Sequence, residues 1–392
     1  MSIPFHQSTI KRENKQHVLQ QIREHAPISR AETAQKTGLN KGTVSSLVAE
    51  LLNEELIRES GPGESSGGRK PVMLHFHATS AFSIGIDLGV NYILAVLTDL
   101  GGNIISSLHE PLHETEYESV FLKLKEMIHT LRQLAPPSRY GVIGVGVGVP
   151  GIVSTTGVII NAPNLNWKHV DLMSQLETEI QLPIWIDNEA NFGAHGEKIY
   201  GSSVTGHNIL YLSAGIGIGA GMILDGNLYK GSTGHAGEVG HMTVDVKGPL
   251  CRCGNYGCWE LFASEQALLS SIQQHTSLEE LIRGAEEGDS ETLLAFNRVA
   301  EYLGAGIVSL VHTFSPDQII VGNRLALAES LLQPELVKAM KKRMLPEQFK
   351  ATEIRFSSLG TQATAMGASS FATEKFLENT NKQTPDSSST SS

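Results

Sequence analysis

Apolar positions in the first fifty residues recur at the three- and four-residue spacing of helices that bury one face. Val18, Leu19 and Ile22 mark a first helix over Ser8 to Glu24, and Pro27 breaks the pattern. Ser29, with Glu32 three residues later, forms a capping box for a short second helix that Gly38 closes. Asn40 caps a third helix with the stripe Val44, Leu47, Val48, Leu51 and Leu52. Two short helices joined by a tight glycine turn make a helix-turn-helix. The exposed start of the third helix carries Asn40, Lys41, Gly42, Thr43, Ser45 and Ser46, side chains suited to base edges and phosphates. Arg30, opening the second helix, joins that set. Leu56 to Ser60 and Pro71 to Phe76 then read as strands around a glycine-rich tip ending in Arg69 and Lys70. Such a tip is narrow enough to place cations in an A·T minor groove. Helix-turn-helix plus wing implies a winged helix-turn-helix with double-stranded DNA as partner.

From Phe82 the pattern becomes α/β. Phe82 to Ile105 reads as three strands separated by glycine turns, and Asn208 to Tyr229 repeats that outline. The repeat predicts a duplicated body of two lobes. Helical patterns follow each copy, around Phe121 to Leu134 and Ser264 to Gln274. The last strand-like run is Gln318 to Val321, and a strand over Leu182 to Ile186 ends at the polar cluster Asp187-Asn188-Glu189-Ala190-Asn191. The predicted divisions are a DNA-binding domain over 1–78, a first α/β lobe over 79–190, a second over 191–378 with a metal loop, and a polar, disordered tail over 379–392. In this division the final helix returns to the first lobe.

Charge refines the picture. The chain of 392 residues carries −11 overall, which excludes a general polyanion binder. Residues 1–75 hold ten Lys/Arg against eight Asp/Glu, or +2; the remainder holds 20 against 33, or −13. The N-terminus lacks an apolar leader core, and no run approaches the roughly 18 apolar residues of a membrane span. The expected location is cytoplasmic.

All three cysteines lie in one loop, as Cys251, Cys253 and Cys258, ten to seventeen residues after His241. Three thiolates and an imidazole complete a closed tetrahedral zinc shell, which leaves no open position for hydrolysis and makes the zinc structural. Glu238 and Glu260 flank this cluster. Carboxylates, Asn and His bond the hydroxyls of a small polyol directionally. Asn188 and Glu189 stand at the C-terminal end of a strand, where α/β ligands bind.

Gly237 to His241 and Cys251 to Glu260 resemble the signature of the ROK family of repressors, open reading frames and kinases. The resemblance covers Lys11 to about Leu377. It implies an actin-like, ribonuclease-H-like body of two lobes around a cleft, usually in a dimer or tetramer, with a homodimer expected here. It also implies Glu238, His241, Glu260, Asn188 and Glu189 as sugar contacts. Three departures from the family's kinases stand out. Where they have Asn-Asp-Ala-Asn with a general base, this chain has Asn188-Glu189-Ala190-Asn191. The extra methylene moves the carboxylate by more than about an ångström, enough to cost roughly 10²-fold in rate. The phosphate hairpins read Asp87-Leu88-Gly89-Val90-Asn91 and Gly215-Ile216-Gly217, without the kinases' threonines. Asn323 and Arg324 replace adenosine-site glycines. The resemblance is greatest to the family's xylose-responsive repressors. It implies a protein without enzyme activity, released from a palindromic operator by a small sugar, xylose foremost. The alternative is a sugar kinase with a DNA-binding arm. A zinc-stabilised sugar-binding protein without DNA affinity is a third class, which the basic wing opposes.

Overall fold

The computed structural model describes residues 4–62, 71–202, 205–272 and 277–380. The expected cations Arg69 and Lys70 lie outside these residues, as does 381–392.

The N-terminal helices are Pro4–His25, Arg30–Thr37 and Lys41–Asn53. Local chemistry sets their ends. Ser29 and Glu32 form the reciprocal capping box, with the Glu32 carboxylate accepting from the Ser29 N–H at 2.8 Å. Gly38 turns the chain with φ +69°, and Asn40 Oδ1 accepts from the Thr43 N–H at 2.8 Å. Strands Ile57–Pro62 and Val72–Phe76 pair antiparallel, and Ile28–Ser29 adds to the second. Val18, Ile22, Val44, Val48, Leu51 and Leu74 form the fully buried core of this head.

The body contains two five-stranded sheets with one topology. In the first, Phe82–Leu88 is central, with antiparallel Tyr92–Asp99 and Ile104–Pro111 on one side and parallel Val142–Val149 and Ile184–Asn188 on the other. In the second, Ile209–Ala214 is central, flanked likewise by Ile218–Leu224 and Asn227–Tyr229, then by Gln318–Gly322 and Glu353–Phe356. The fifth strand of the second sheet lies beyond the expected last strand; its short, half-charged sequence hid it. The strand expected over Leu182 to Ile186 is shifted to Ile184–Asn188, because Pro183 has no N–H for the ladder. The helix expected over Ser264 to Gln274 is Glu265–Ser271, with Ser264 as its cap; Gln273 and Gln274 lie outside the described residues. The polar tail begins later than expected, since Asn379 and Thr380 end the helix Ala363–Thr380.

Among the described residues one helix, Ser290–Phe314, is long and apolar enough to cross a membrane. Its Phe296, Leu303, Ile307 and Val311 are buried in the second lobe, so it is a core helix.

The lobes meet through two helices. Glu189–Tyr200 lies on the second sheet, where a Cβ on Gly221 would stand 2.1 Å from the Ala190 carbonyl. Ala363–Thr380 lies on the first, where a Cβ on Gly85 would stand 1.8 Å from the Ala365 carbonyl. The helices cross backbone to backbone: a Cβ on Gly367 would stand 1.8 Å from the Phe192 carbonyl. The far end of Ala363–Thr380 reaches the head, where Phe376 and Leu377 pack against its core. Tyr140 stacks edge-on with Phe376 at 5.0 Å and donates to the Glu54 carbonyl at 2.9 Å. Arg139 donates to the Asn53 carbonyl at 2.8 Å and to Glu55 at 2.9 Å.

The crossing yields a prediction. Gly367→Ala forces the helices apart and should lower unfolding free energy by about 3 kcal/mol, the upper part of the overpacking range. Denaturant unfolding at equilibrium measures it; a loss below about 0.5 kcal/mol would show that the crossing yields freely.

Candidate functional site

The helix Lys41–Asn53 presents Asn40, Lys41, Ser45 and Ser46 to solvent, with Thr43 half-buried. Its other face is clamped to the first helix by Lys11–Glu50 at 2.7 Å and by the buried Lys15 on Glu54 at 2.5 Å. Asn40 spends one oxygen as a cap. Arg30 pairs with Glu59 of the wing strand at 2.6 Å, which ties wing to helix.

The cleft lies between the sheets. From the first lobe come Asp87 and the 187–189 cluster. Asn188 caps the helix Glu189–Tyr200 and donates to the Gly151 carbonyl at 2.9 Å, so most of its amide is engaged in structure. Asp187 is held by Lys230 and accepts from Asn191 at 2.9 Å. From the second lobe, Ser213 donates to Glu189 at 3.1 Å and Asn323 donates to Ser213 at 3.0 Å. Burial, then the Asp87 charge, push Glu189 up to about 8, and Glu238 adds to that push. Glu238 is itself raised, by burial first, against the pull of His241.

Glu238, His241 and Glu260 stand in sequence around one imidazole. Its Nε2 is 3.9 Å from Glu238 and its Nδ1 is 3.5 Å from Glu260. Gly217 allows this closeness, since a Cβ there would stand 2.9 Å from Glu260 Oε2. The metal ligands of His241, Cys251, Cys253 and Cys258 all lie within 4.8 Å of one another. Cys253 to Cys258 is 3.6 Å and Cys251 to His241 Nδ1 is 3.8 Å. Those separations match the roughly 3.8 Å edge of a tetrahedron with Zn–S bonds of about 2.3 Å. Burial pushes the Cys251 thiol up to about 12, so its thiolate needs a cation beside it. The residues therefore fit a tetrahedral metal, with Nδ1 turned to the thiols and Nε2 left toward the cleft. Arg252 of the same loop donates to Asn164 of the first lobe at 3.1 Å and bridges the two sides.

Sequence reasoning missed the residues between these clusters: Tyr92, Ser213, Lys230 and the working surroundings of Asp87. The available signal was polarity, since Asp87 and Ser213 are polar residues in otherwise apolar strands. The structure brings Glu189, Glu238, His241 and Glu260 near one another, and leaves the head, with the residues expected to contact DNA, at the opposite end of Ala363–Thr380. Arg324 turns toward Glu265 at 2.9 Å and Glu279 at 3.0 Å.

The ROK family model matches residues 83–375. The chain belongs to the ROK family. Residues 11–58 match a winged helix-turn-helix DNA-binding model, so this family member carries a DNA-binding head. It is 43% identical over 375 residues to a protein named xylose repressor from Bacillus spizizenii, covering 95% of this chain and 98% of that one. A solved ROK family transcriptional regulator, described as a homolog of the E. coli MLC protein, is similar with TM-score 0.79 and 27% identity over 95% of this chain and 98% of that one. A ROK glucokinase from Streptomyces griseus, solved with glucose and AMPPNP, is similar with TM-score 0.70 and 26% identity over 75% of this chain and 99% of that one.

The metal geometry yields a prediction. Purified protein should carry about one zinc per chain, and Cys251→Ser should lose it. The variant should melt at lower temperature while the head keeps its helices. Elemental analysis with thermal unfolding checks this; wild type without metal, or a variant that retains it, contradicts the ligand set.

Proposed function

We propose that this chain is a sugar-responsive transcription repressor without kinase activity, binding a palindromic operator as a cytoplasmic homodimer and leaving it when xylose enters the cleft. The observation that carries the reading is the joining of two parts in one chain. A DNA-binding head with an open helix face sits on a sugar-kinase body whose first phosphate hairpin is covered. The Tyr92 ring lies on that hairpin, so close that a Cβ on Gly89 would stand 2.4 Å from it. The relationship to a named xylose repressor at 43% identity supports xylose as the inducer.

In this reading Lys41, with Arg30, Arg69 and Lys70, holds phosphates or the minor groove, while Thr43, Ser45, Ser46 and Asn40 face base edges. Glu189, Glu238, His241 and Glu260 hold hydroxyls, and Asn188 positions Glu189 and the Gly151 turn. His241, Cys251, Cys253 and Cys258 would hold a structural zinc, which would fix the imidazole, and His241 would offer Nε2 to the sugar. Because the contacts come from both lobes, one ligand draws the lobes together. DNA and sugar then weaken each other's binding by one shared factor, typically 5- to 150-fold.

Gel shifts on the operator, with and without D-xylose, test this directly. Wild type should be released by xylose and should show no xylose-dependent ATP turnover. A kcat in the ordinary range of roughly 1–10³ s⁻¹ would restore the kinase alternative. Glu238→Ala should stay on the operator at xylose concentrations that release wild type; equal release from both contradicts the assigned cleft.

The two kinds of DNA contact separate by salt. Lys41→Ala should weaken binding to all sequences and flatten the salt slope by about one. Ser45→Ala should instead relax preference at one base pair by roughly 1–3 kcal/mol. An unchanged slope for Lys41→Ala, measured by titration across salt concentrations, removes it from the phosphate contacts.

A further inference from the structure

Asp87 ends the central strand of the first sheet and is 1% exposed. One of its oxygens, Oδ2, accepts from the Tyr92 hydroxyl at 2.7 Å. The other, Oδ1, is buried and has no hydrogen-bond partner among the described residues. A buried carboxylate oxygen left without a donor loses its hydration for nothing in return. Such an atom marks a place where a donor belongs.

The surroundings say which donor. Asp87 lies close enough to Glu189 for its charge to raise the Glu189 carboxyl. Ser213 and Asn323 extend the chain of hydrogen bonds from Glu189 into the second lobe. The Tyr92 ring packs against Gly89, where an added Cβ would stand 2.4 Å from it. An anion beside two carboxyl groups would be repelled. A neutral hydroxyl has the size, the donor and the lack of charge that the position requires.

We propose that Asp87 is a sugar-contacting residue of the cleft, its unpartnered Oδ1 accepting a hydroxyl of the ligand beside Glu189 while Tyr92 clamps its other oxygen. This inference rests on the sugar-cleft reading given above. It assigns the remnant of a phosphate hairpin a new task in sugar recognition, with Tyr92 as positioning residue. Glu189 supplies the complementary donor. Burial raises Asp87 to about 7, against the pull of the Tyr92 bond, and raises Glu189 to about 8. Near neutral pH the pair therefore shares one proton, leaving one acceptor and one donor for a hydroxyl and its neighbour. The other groups bearing on the pair are Tyr211, whose buried phenol stays neutral, and Glu238. The nearest lysine, Lys230, is engaged by Asp187.

The sign of the pH dependence follows. As pH rises above about 8 the shared proton leaves, the donor is lost and two carboxylates repel, so sugar binds less well. Asp87→Asn turns the acceptor into a donor and removes the charge that raises Glu189.

The experiment is release of labelled operator by D-xylose, from about pH 6 to about pH 9, with each variant's own sugar-free affinity as reference. At about pH 7, Asp87→Asn should need at least roughly tenfold more xylose for half-release than wild type. For wild type the xylose needed should climb above about pH 8, and for Asp87→Asn the climb should begin at lower pH. Tyr92→Phe, which keeps the charge and frees the second oxygen, should need several-fold more xylose. It carries the test if Asp87→Asn does not unfold cooperatively. Wild-type release with unchanged half-release points and pH profiles in the variants overturns the role of Asp87 alone. No release from wild type by xylose overturns the repressor reading, and this inference with it.

Discussion

The contact on which the rest of the molecule depends is backbone against backbone. Gly196 and Gly367 stand where the helices Glu189–Tyr200 and Ala363–Thr380 cross, and a Cβ on either would overlap the opposite main chain, at 2.3 Å from the Ala363 carbonyl and 1.8 Å from the Phe192 carbonyl respectively. Each helix is pressed in the same way onto its own sheet, by Gly221 for one and by Gly85 and Gly146 for the other. Glycine at these positions removes the side-chain layer that normally separates packed elements. The two lobes consequently share a fixed centre, and Lys230 on Asp187 and Arg252 on Asn164 link them again around the candidate cleft.

Glu189 sits at the first turn of one crossing helix, and Thr364, at the first turn of the other, donates to its backbone carbonyl at 3.1 Å. The carboxylates of the cleft are thus held by the elements that join the lobes. The opposite wall is organised by the cysteine loop, which places one imidazole between two carboxylates and reaches across to Asn164 through Arg252. Neither wall has a charge arrangement suited to phosphate. Carboxylates predominate, while Lys230 is paired with Asp187 and Arg324 with Glu265 and Glu279.

How much of this could be read in the sequence depended on the range of the interaction. The caps at Ser29 and Asn40, the turn at Gly38 and the cysteine loop are decided within a few residues, and each stands where the pattern put it. The duplicated lobes were legible because the strand–glycine–strand outline recurs. The fifth strand of the second sheet, Glu353–Phe356, was not legible, since its partner is 35 residues earlier and its own residues alternate charge with apolar side chains. The glycine crossing was hidden for the same reason, whereas the bond from Tyr92 to Asp87, only five residues apart, depends on side-chain direction across the hairpin. Gly367 is one small residue in an alanine- and serine-rich helix until it is seen against Phe192.

The final helix has a mechanical consequence. The ten residues from the crossing at Gly367 to Leu377, at about 1.5 Å each, span about 15 Å, ending at Phe376 and Leu377 under the DNA-binding head. The head is bolted to the first lobe at both Tyr140 and this helix, so it has little freedom to bend by itself. A turn of the first lobe by about five degrees about the crossing therefore sweeps the head by about 1 Å over that arm. Directional hydrogen bonds to base edges fail over such a distance, whereas attraction to phosphates falls only gradually. A lobe movement of that size would cost the head its preference for a sequence before it cost its hold on DNA, leaving a protein able to slide away along the duplex.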